Sequence, residues 1–306
     1  MNETPERAPD YGDRDKVVTI GSKRESPFST LATCLACFAC IAIFLAYSVG
    51  SSSISGESWE RMSKFGWLPA NAVWNGQYWA LITSAFVHFE LWHVGLNVYW
   101  FWVLGSRLER TIGSPLYLAF ILISAFITSS CQMSTSDSTG IGASGVVYAI
   151  FGFMWVTRQQ FLLFDEVLDL RTRQLFVGWL FVCIALTYMG ILTVGNAAHI
   201  SGLLFGCSIG SVFVLRFRPR LNSLGLVAIV AFSIVPLFWC PWSVTWLSKK
   251  AYEAHMLKQY DEAIWKYDQI IGLSPKMRGP FRIAVPLIMS SGNPRRRVLT
   301  GIALVT

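Results

Sequence analysis

The sequence predicts an all-α, polytopic membrane helix bundle. Two observations carry this. Hydrophobic residues make up 53% of the 306 and charged residues only 14%, with a mean hydropathy of +0.47, whereas soluble domains run about 25% charged. The chain also contains long charge-free runs, the longest of them the 42 residues from Gln174 to Leu215. Most of the chain is therefore solvated by lipid. The net charge of +7 belongs to neither a nucleic-acid reader nor a soluble dehydrogenase.

A helix needs about 20 apolar residues to cross the hydrocarbon core, and on that measure seven spans are expected. They run near Leu31 to Val49, Leu91 to Gly105, Pro115 to Cys131, Ser144 to Gln160, Gln174 to Thr193, Ala197 to Phe217 and Leu224 to Trp242. The fifth and sixth share the 42-residue run, with a tight reversal at Val194, Gly195 and Asn196. The Phe65 to Phe89 stretch differs, because it holds Pro69, Asn71, Asn75, Gly76 and Gln77 and follows on from Trp59 with further tryptophans up to Trp79. It reads as a loop half sunk in the interface, where indole rings prefer to sit.

Residues 1–30 carry five basic and six acidic side chains with three prolines, which predicts a disordered cytoplasmic tail. With that end in the cytoplasm, thirteen Lys and Arg fall in the tail and the loops on its side, against Arg61 and Lys64 in the opposite short loops. The positive-inside rule then fixes the orientation: N-terminus cytoplasmic and, after seven crossings, C-terminus extracytoplasmic. A plasma membrane, the inner one in a bacterium, is the expected location.

In this topology the spans starting at Leu91, Ser144 and Ala197 begin at the outer side. His93, Asn97, Ser144 and His199 thus converge on one leaflet, and polar groups at membrane depth are candidates for function by default. His93 and Asn97 share a helix face, four residues apart. Ser144 lies in Gly142-Ala143-Ser144-Gly145. A lone motif of that kind reads first as a serine capping a helix, but flanking glycines also suit an exposed nucleophilic hydroxyl. His199 is followed by Gly202, Gly206 and Gly210, and glycines four apart allow close helix approach. No carboxylate lies in these spans, so any catalysis here runs on a Ser-His dyad.

The motifs His88-Phe89-Glu90-Leu91-Trp92-His93-Val94-Gly95-Leu96-Asn97, Gly142-Ala143-Ser144-Gly145-Val146-Val147-Tyr148 and Ala198-His199-Ile200-Ser201-Gly202 with Gly206 together resemble the rhomboid intramembrane serine proteases over about residues 70–216. The resemblance implies a six-helix core, here with a seventh span added. It implies Ser144 as nucleophile, His199 as general base, and an oxyanion hole from His93, Asn97 and the Ser144 N–H. Tyr148 would pack on the His199 ring, His88 would support the first loop, and Glu109 would be a structural carboxylate at the cytoplasmic end. Trp79-Ala80 departs from the Trp-Arg the family often carries, which touches loop packing more than chemistry. Single-pass transmembrane proteins become the expected substrates, cut near the outer leaflet after a small residue in a segment that unwinds easily. A rhomboid-like protein that binds and escorts membrane proteins without cutting them is the alternative. A transporter fits less well, since its polar groups would sit on broken helices near the midplane.

Cys34, Cys37 and Cys40 are spaced as metal ligands would be, yet within a lipid-spanning helix they read as small apolar fillers; no metal, cofactor or obligatory disulfide is expected. Domain boundaries follow at 31–220 for the core, 221–246 for the added span, 247–277 for a single tetratricopeptide-like repeat and 278–306 for a tail. The repeat, with Tyr260, Ile264 and Tyr267 on an apolar face that one repeat cannot bury by itself, is either a surface for substrate ectodomains or a protein partner, or a solvated stub with no role.

Overall fold

The computed structural model describes residues 30–49, 58–212 and 219–273. The expected N-terminal tail (apart from Thr30), Arg216, Phe217 and Arg218, the last residues of the expected repeat and the 278–306 tail lie outside the described residues. The chain divides into two compact units between Leu237 and Phe238. All regular elements described are helical.

The first unit opens with α1 (Leu31–Val49), 19 residues without a charge. Its first turn leaves backbone N–H groups without intrahelical partners, and the fully buried Glu109 carboxylate accepts from two of them, Ala32 N at 2.9 Å and Thr33 N at 2.8 Å. The same carboxylate accepts from the Thr33 hydroxyl at 2.6 Å and from Ser114 Oγ at 2.6 Å. An anion at the positive end of a helix is favourable, so one side chain ties three helices together.

The segment expected as an interfacial loop is folded. After α2 (Ser58–Lys64), it forms α3 (Ala70–Trp74), α4 (Ala80–Thr83) and a 3₁₀ turn at Ser84–Phe86. Trp67 and Trp74 are buried, while Tyr78 and Trp79 stay about half exposed; the stretch is thus half protein core and half outer surface. Ala80 is fully enclosed, so the loop closes over a methyl where the resembling family often has arginine.

Next, α5 (Leu91–Trp100) and α6 (Ser106–Ile112) are joined without a break by a π turn at Phe101–Gly105. The wider turn re-registers the helix, so His93 and Asn97 can serve one end of the protein and Glu109 the other. After Gly113, α7 (Ser114–Thr135) carries Pro115 in its first turn, where a missing N–H costs nothing. It is the most enclosed of the long apolar helices, two thirds buried.

Beyond it come α8 (Ser144–Thr157), α9 (Leu162–Val167), α10 (Leu170–Tyr188), α11 (Asn196–Gly210) and α12 (Pro219–Phe238). The Asp169 carboxylate caps α10 by accepting from Thr172 N at 2.7 Å, and this bond holds it below the ordinary carboxylate range. At its other end α12 leaves carbonyls unpaired, and Trp74 Nε1–H donates to one of them, that of Pro236, at 2.9 Å. Ser130 of α7 likewise donates to the Ser233 carbonyl. The seventh expected span is therefore bonded to both α3 and α7.

Each of the seven expected spans has its helix among the described residues. Among the described residues four helices are long and apolar enough to cross a membrane, α1, α7, α10 and α12. The run from α5 to α6 is long but charged at its end. The 14 residues of α8 and 15 of α11 rise only about 21–23 Å. The segments leading into them, 136–143 and 193–195, are buried or half-buried except at Asp137 and Thr193, which are exposed. The fifth span is also displaced, from the expected Gln174–Thr193 to Leu170–Tyr188, and the reversal is a longer turn over Met189–Gly195.

In the second unit, α13 (Val244–Met256) and α14 (Tyr260–Leu273) form a hairpin. Ala251, Ala254, Ala263 and Ile270 are buried, whereas Tyr260 and Ile264 are exposed. The helix of the added span ends at Phe238 and the hairpin starts at Val244, where Ser243 caps α13 by accepting from Trp246 N. His255 lies here, its ring against Tyr260. The Glu253 carboxyl is held below its usual range by Lys249 and Lys250.

Candidate active site

The loop that delivers Ser144 is suspended from the first-loop region. Gly142 N donates to the Ser84 carbonyl at 3.2 Å, and Ala143 N donates to His88 Nε2 at 3.3 Å. Gly142 has φ +92°, a conformation that side chains disfavour. A Cβ there would also lie 2.6 Å from His93 Cε1 and 3.2 Å from His88 Nε2. Glycine is thus required twice over, by the turn and by two imidazoles that press against it.

Ser144 opens α8, and His199 lies one helical turn into α11. The two helices cross closely: a Cβ at Gly152 would come within 2.5 Å of the Leu203 carbonyl, and side chains at Gly202 and Gly206 would collide with the carbonyls of Gly145 and Ala149. Gly145 in turn rests on Thr128, whose Cβ would be 2.8 Å away. This crossing brings His199 Nε2 to 2.7 Å from Ser144 Oγ.

His199 is buried, and its Nδ1 has no hydrogen-bond partner among the described residues. Its orientation comes from Tyr148 instead, whose ring lies 4.7 Å away, centroid to centroid, at 31°. Tyr148 is itself anchored, its hydroxyl donating to the Phe176 carbonyl of α10 at 3.0 Å. Neighbouring Phe176 stacks on Phe151 at 4.3 Å and 8°. A two-membered Ser-His arrangement with an aromatic support is what the side chains form.

His93 lies against Gly142 and its ring meets that of His88 at 5.0 Å. Asn97 is buried with Nδ2 3.1 Å from His88 Nε2. Because His88 Nε2 receives both the Asn97 amide and Ala143 N, it must be unprotonated, and Nδ1–H then donates to the Phe86 carbonyl at 3.2 Å. His88 is therefore the hub of this side of the site, and it leaves the second Asn97 amide hydrogen for another acceptor.

His88, His93, Asn97, Gly142, Ser144, Gly145, Tyr148, His199, Gly202 and Gly206 are brought together. Glu109 is not; its carboxylate is occupied at the start of α1. Sequence reasoning missed Phe176 and Gln132. Gln132, of α7, accepts from Ala198 N at 3.1 Å, beside His199. An amide inside an apolar span was a legible signal, though not for which backbone group it meets.

A helix bundle that holds a half-buried serine hydrogen-bonded to a buried histidine, beside amide and imidazole groups, has the side-chain arrangement of a serine hydrolase. Residues 75–216 match the family model of the Rhomboid domain. The chain is 34% identical over 149 residues to Rhomboid protease GlpG of Yersinia pseudotuberculosis serotype I (strain IP32953), covering 47% of this chain and 52% of that protein. The identity and coverage are the same for Rhomboid protease GlpG of Yersinia pestis (strain Pestoides F). The chain spans about half the length of the curated relatives it matches.

Proposed function

We propose that the protein is an intramembrane serine protease that hydrolyses peptide bonds of single-pass transmembrane substrates near the outer leaflet. The observation that carries this is the 2.7 Å bond between His199 Nε2 and Ser144 Oγ in a site walled by apolar helices. In the attack, Ser144 Oγ bonds to the scissile carbonyl carbon while its proton passes to His199 Nε2. Among the described residues no carboxylate pairs with His199 Nδ1; the face of Tyr148 stabilises the imidazolium so formed, as aromatic rings do cations. The carbonyl oxygen becomes an oxyanion, received by the Ser144 N–H, the free Asn97 amide hydrogen and His93. Preorganised donors are worth far more in such a dry site than in water. His199 then protonates the leaving amine, and water repeats the sequence on the acyl-enzyme.

A peptide bond within a stable helix is hydrogen-bonded and shielded, so substrates with Gly or Pro near the cut are favoured, since these lower the cost of extension. The membrane sidedness rests on the thirteen-to-two distribution of basic residues and places the α13–α14 hairpin outside, where its exposed Tyr260 and Ile264 face protein partners. A cysteine replacing Lys258 then reacts with a membrane-impermeant thiol reagent in intact cells, and one replacing Arg171 does not; the reverse pattern overturns the sidedness. For the chemistry, the test is labelling by a fluorophosphonate probe, wild type against Ser144→Ala. Loss of labelling in the variant is expected, and absence of labelling in both refutes the enzyme.

A further inference from the structure

We infer that Gln132 is a positioning residue for the dyad: it caps the His199 helix from across the bundle. The inference rests on the proteolytic reading for its effect on rate, but the cap itself is a structural claim. The first turn of any helix exposes N–H groups that need acceptors, and the usual acceptor is the side chain of the residue preceding the helix. Here that residue is Gly195, which has none. Gln132 Oε1, from a residue 66 positions earlier, takes the Ala198 N–H at 3.1 Å instead.

The same side chain bears on the other half of the dyad. Its Nε2 donates to Ser136 Oγ at 3.2 Å. Its stem fills the space beside Gly140, where a Cβ would lie 3.0 Å from Gln132 Cγ. Gly140, at φ +80°, is four residues before Ser144. The opposite wall is Gly195, where a Cβ would stand 3.4 Å from Gln132 Oε1. One buried amide therefore touches the chain leading into both dyad helices. A 2.7 Å contact between Ser144 and His199 is the sort of geometry in which small displacements cost rate. With the cap gone, the first turn of α11 is free to fray, and His199 belongs to that turn.

The test uses the full-length protein in proteoliposomes with a model transmembrane substrate. Gln132→Met keeps the stem and removes the acceptor, and should lower kcat about tenfold, with KM changed less than about twofold. Gln132→Glu keeps an acceptor in either protonation state, loses only the Ser136 donor, and should stay within about threefold of wild type. Gly195→Ser added to Gln132→Met supplies a cap from the ordinary position and should restore most of kcat. Independently of activity, amide hydrogen exchange over 195–203 should quicken in Gln132→Met, while the start of α1 is unchanged. Gln132→Met at wild-type rate and exchange, or Gln132→Glu as slow as Gln132→Met with no rescue by Gly195→Ser, overturns the cap. If wild type neither labels nor cleaves, the protease reading fails, and the exchange comparison alone decides for or against the cap.

Discussion

The α8–α11 pair and α10 answer the same apolar solvent in opposite ways. α10 has 19 residues, only 11% of its apolar window buried, and leaves Leu175, Trp179, Phe181 and Ile184 exposed; it meets lipid around most of its circumference. α8 is shorter, nearly all buried, and packed through glycine onto α11. Lipid tails offer apolar side chains no hydrophobic reason to associate, so close backbone packing and polar contacts bind helices instead. Function follows the same division: Ser144 and His199 meet where α8 and α11 cross, while α10 contributes supports, the Phe176 carbonyl that anchors Tyr148, the Phe176 ring against Phe151 and the Thr187 hydroxyl that accepts from Asn196.

The widest separation between the two regions is expected in catalysis. Ser144→Ala or His199→Ala should each abolish cleavage while the protein still inserts, because groups that act as a unit fail singly; turnover near wild type in either variant breaks the division of labour. Asn97→Ala comes next, costing on the order of 10²–10³ in kcat as one oxyanion donor among several. An unchanged kcat would take Asn97 out of the site and leave it as a partner of His88 alone.

Two glycines then compare the regions directly. Gly206→Ala drives a methyl into the Ala149 carbonyl and should lower stability in detergent by about 1–3 kcal/mol, the usual cost of overpacking. Gly178 of α10 has nothing within 4 Å of its would-be Cβ, so Gly178→Ala should be neutral or raise stability by up to ~1 kcal/mol. Equal loss in both would mean that α10 is packed against protein in the working state. The smallest effect is expected from deleting the chain from Val244 onward: cleavage of a minimal substrate should be unchanged, since every residue brought to the site precedes Gly210.

The parts legible in the sequence were those whose signal is local. His93 and Asn97 are one turn apart, Gly142 and Gly145 bracket Ser144, and Gly202 and Gly206 follow His199 at the spacing of a helix groove. Hydropathy also located α1, α7 and α12 to within a few residues. It placed the starts of α8 and α11 as well, but a window over apolar residues cannot tell side chains that meet lipid from those that meet protein.

By itself the sequence determined that the chain lives in a bilayer, that its polar residues gather at helix starts, and which serine and histidine are candidates, since composition and short-range spacing are properties of the chain. Only the tertiary structure decided what partners those groups have. It made His88 the acceptor for both Asn97 and Ala143, gave Tyr148 its anchor on Phe176, and set Gln132 over the N-terminus of α11. Each of these contacts joins residues on different elements, nine to 66 positions apart. A buried donor takes whichever acceptor the packing brings within about 3 Å.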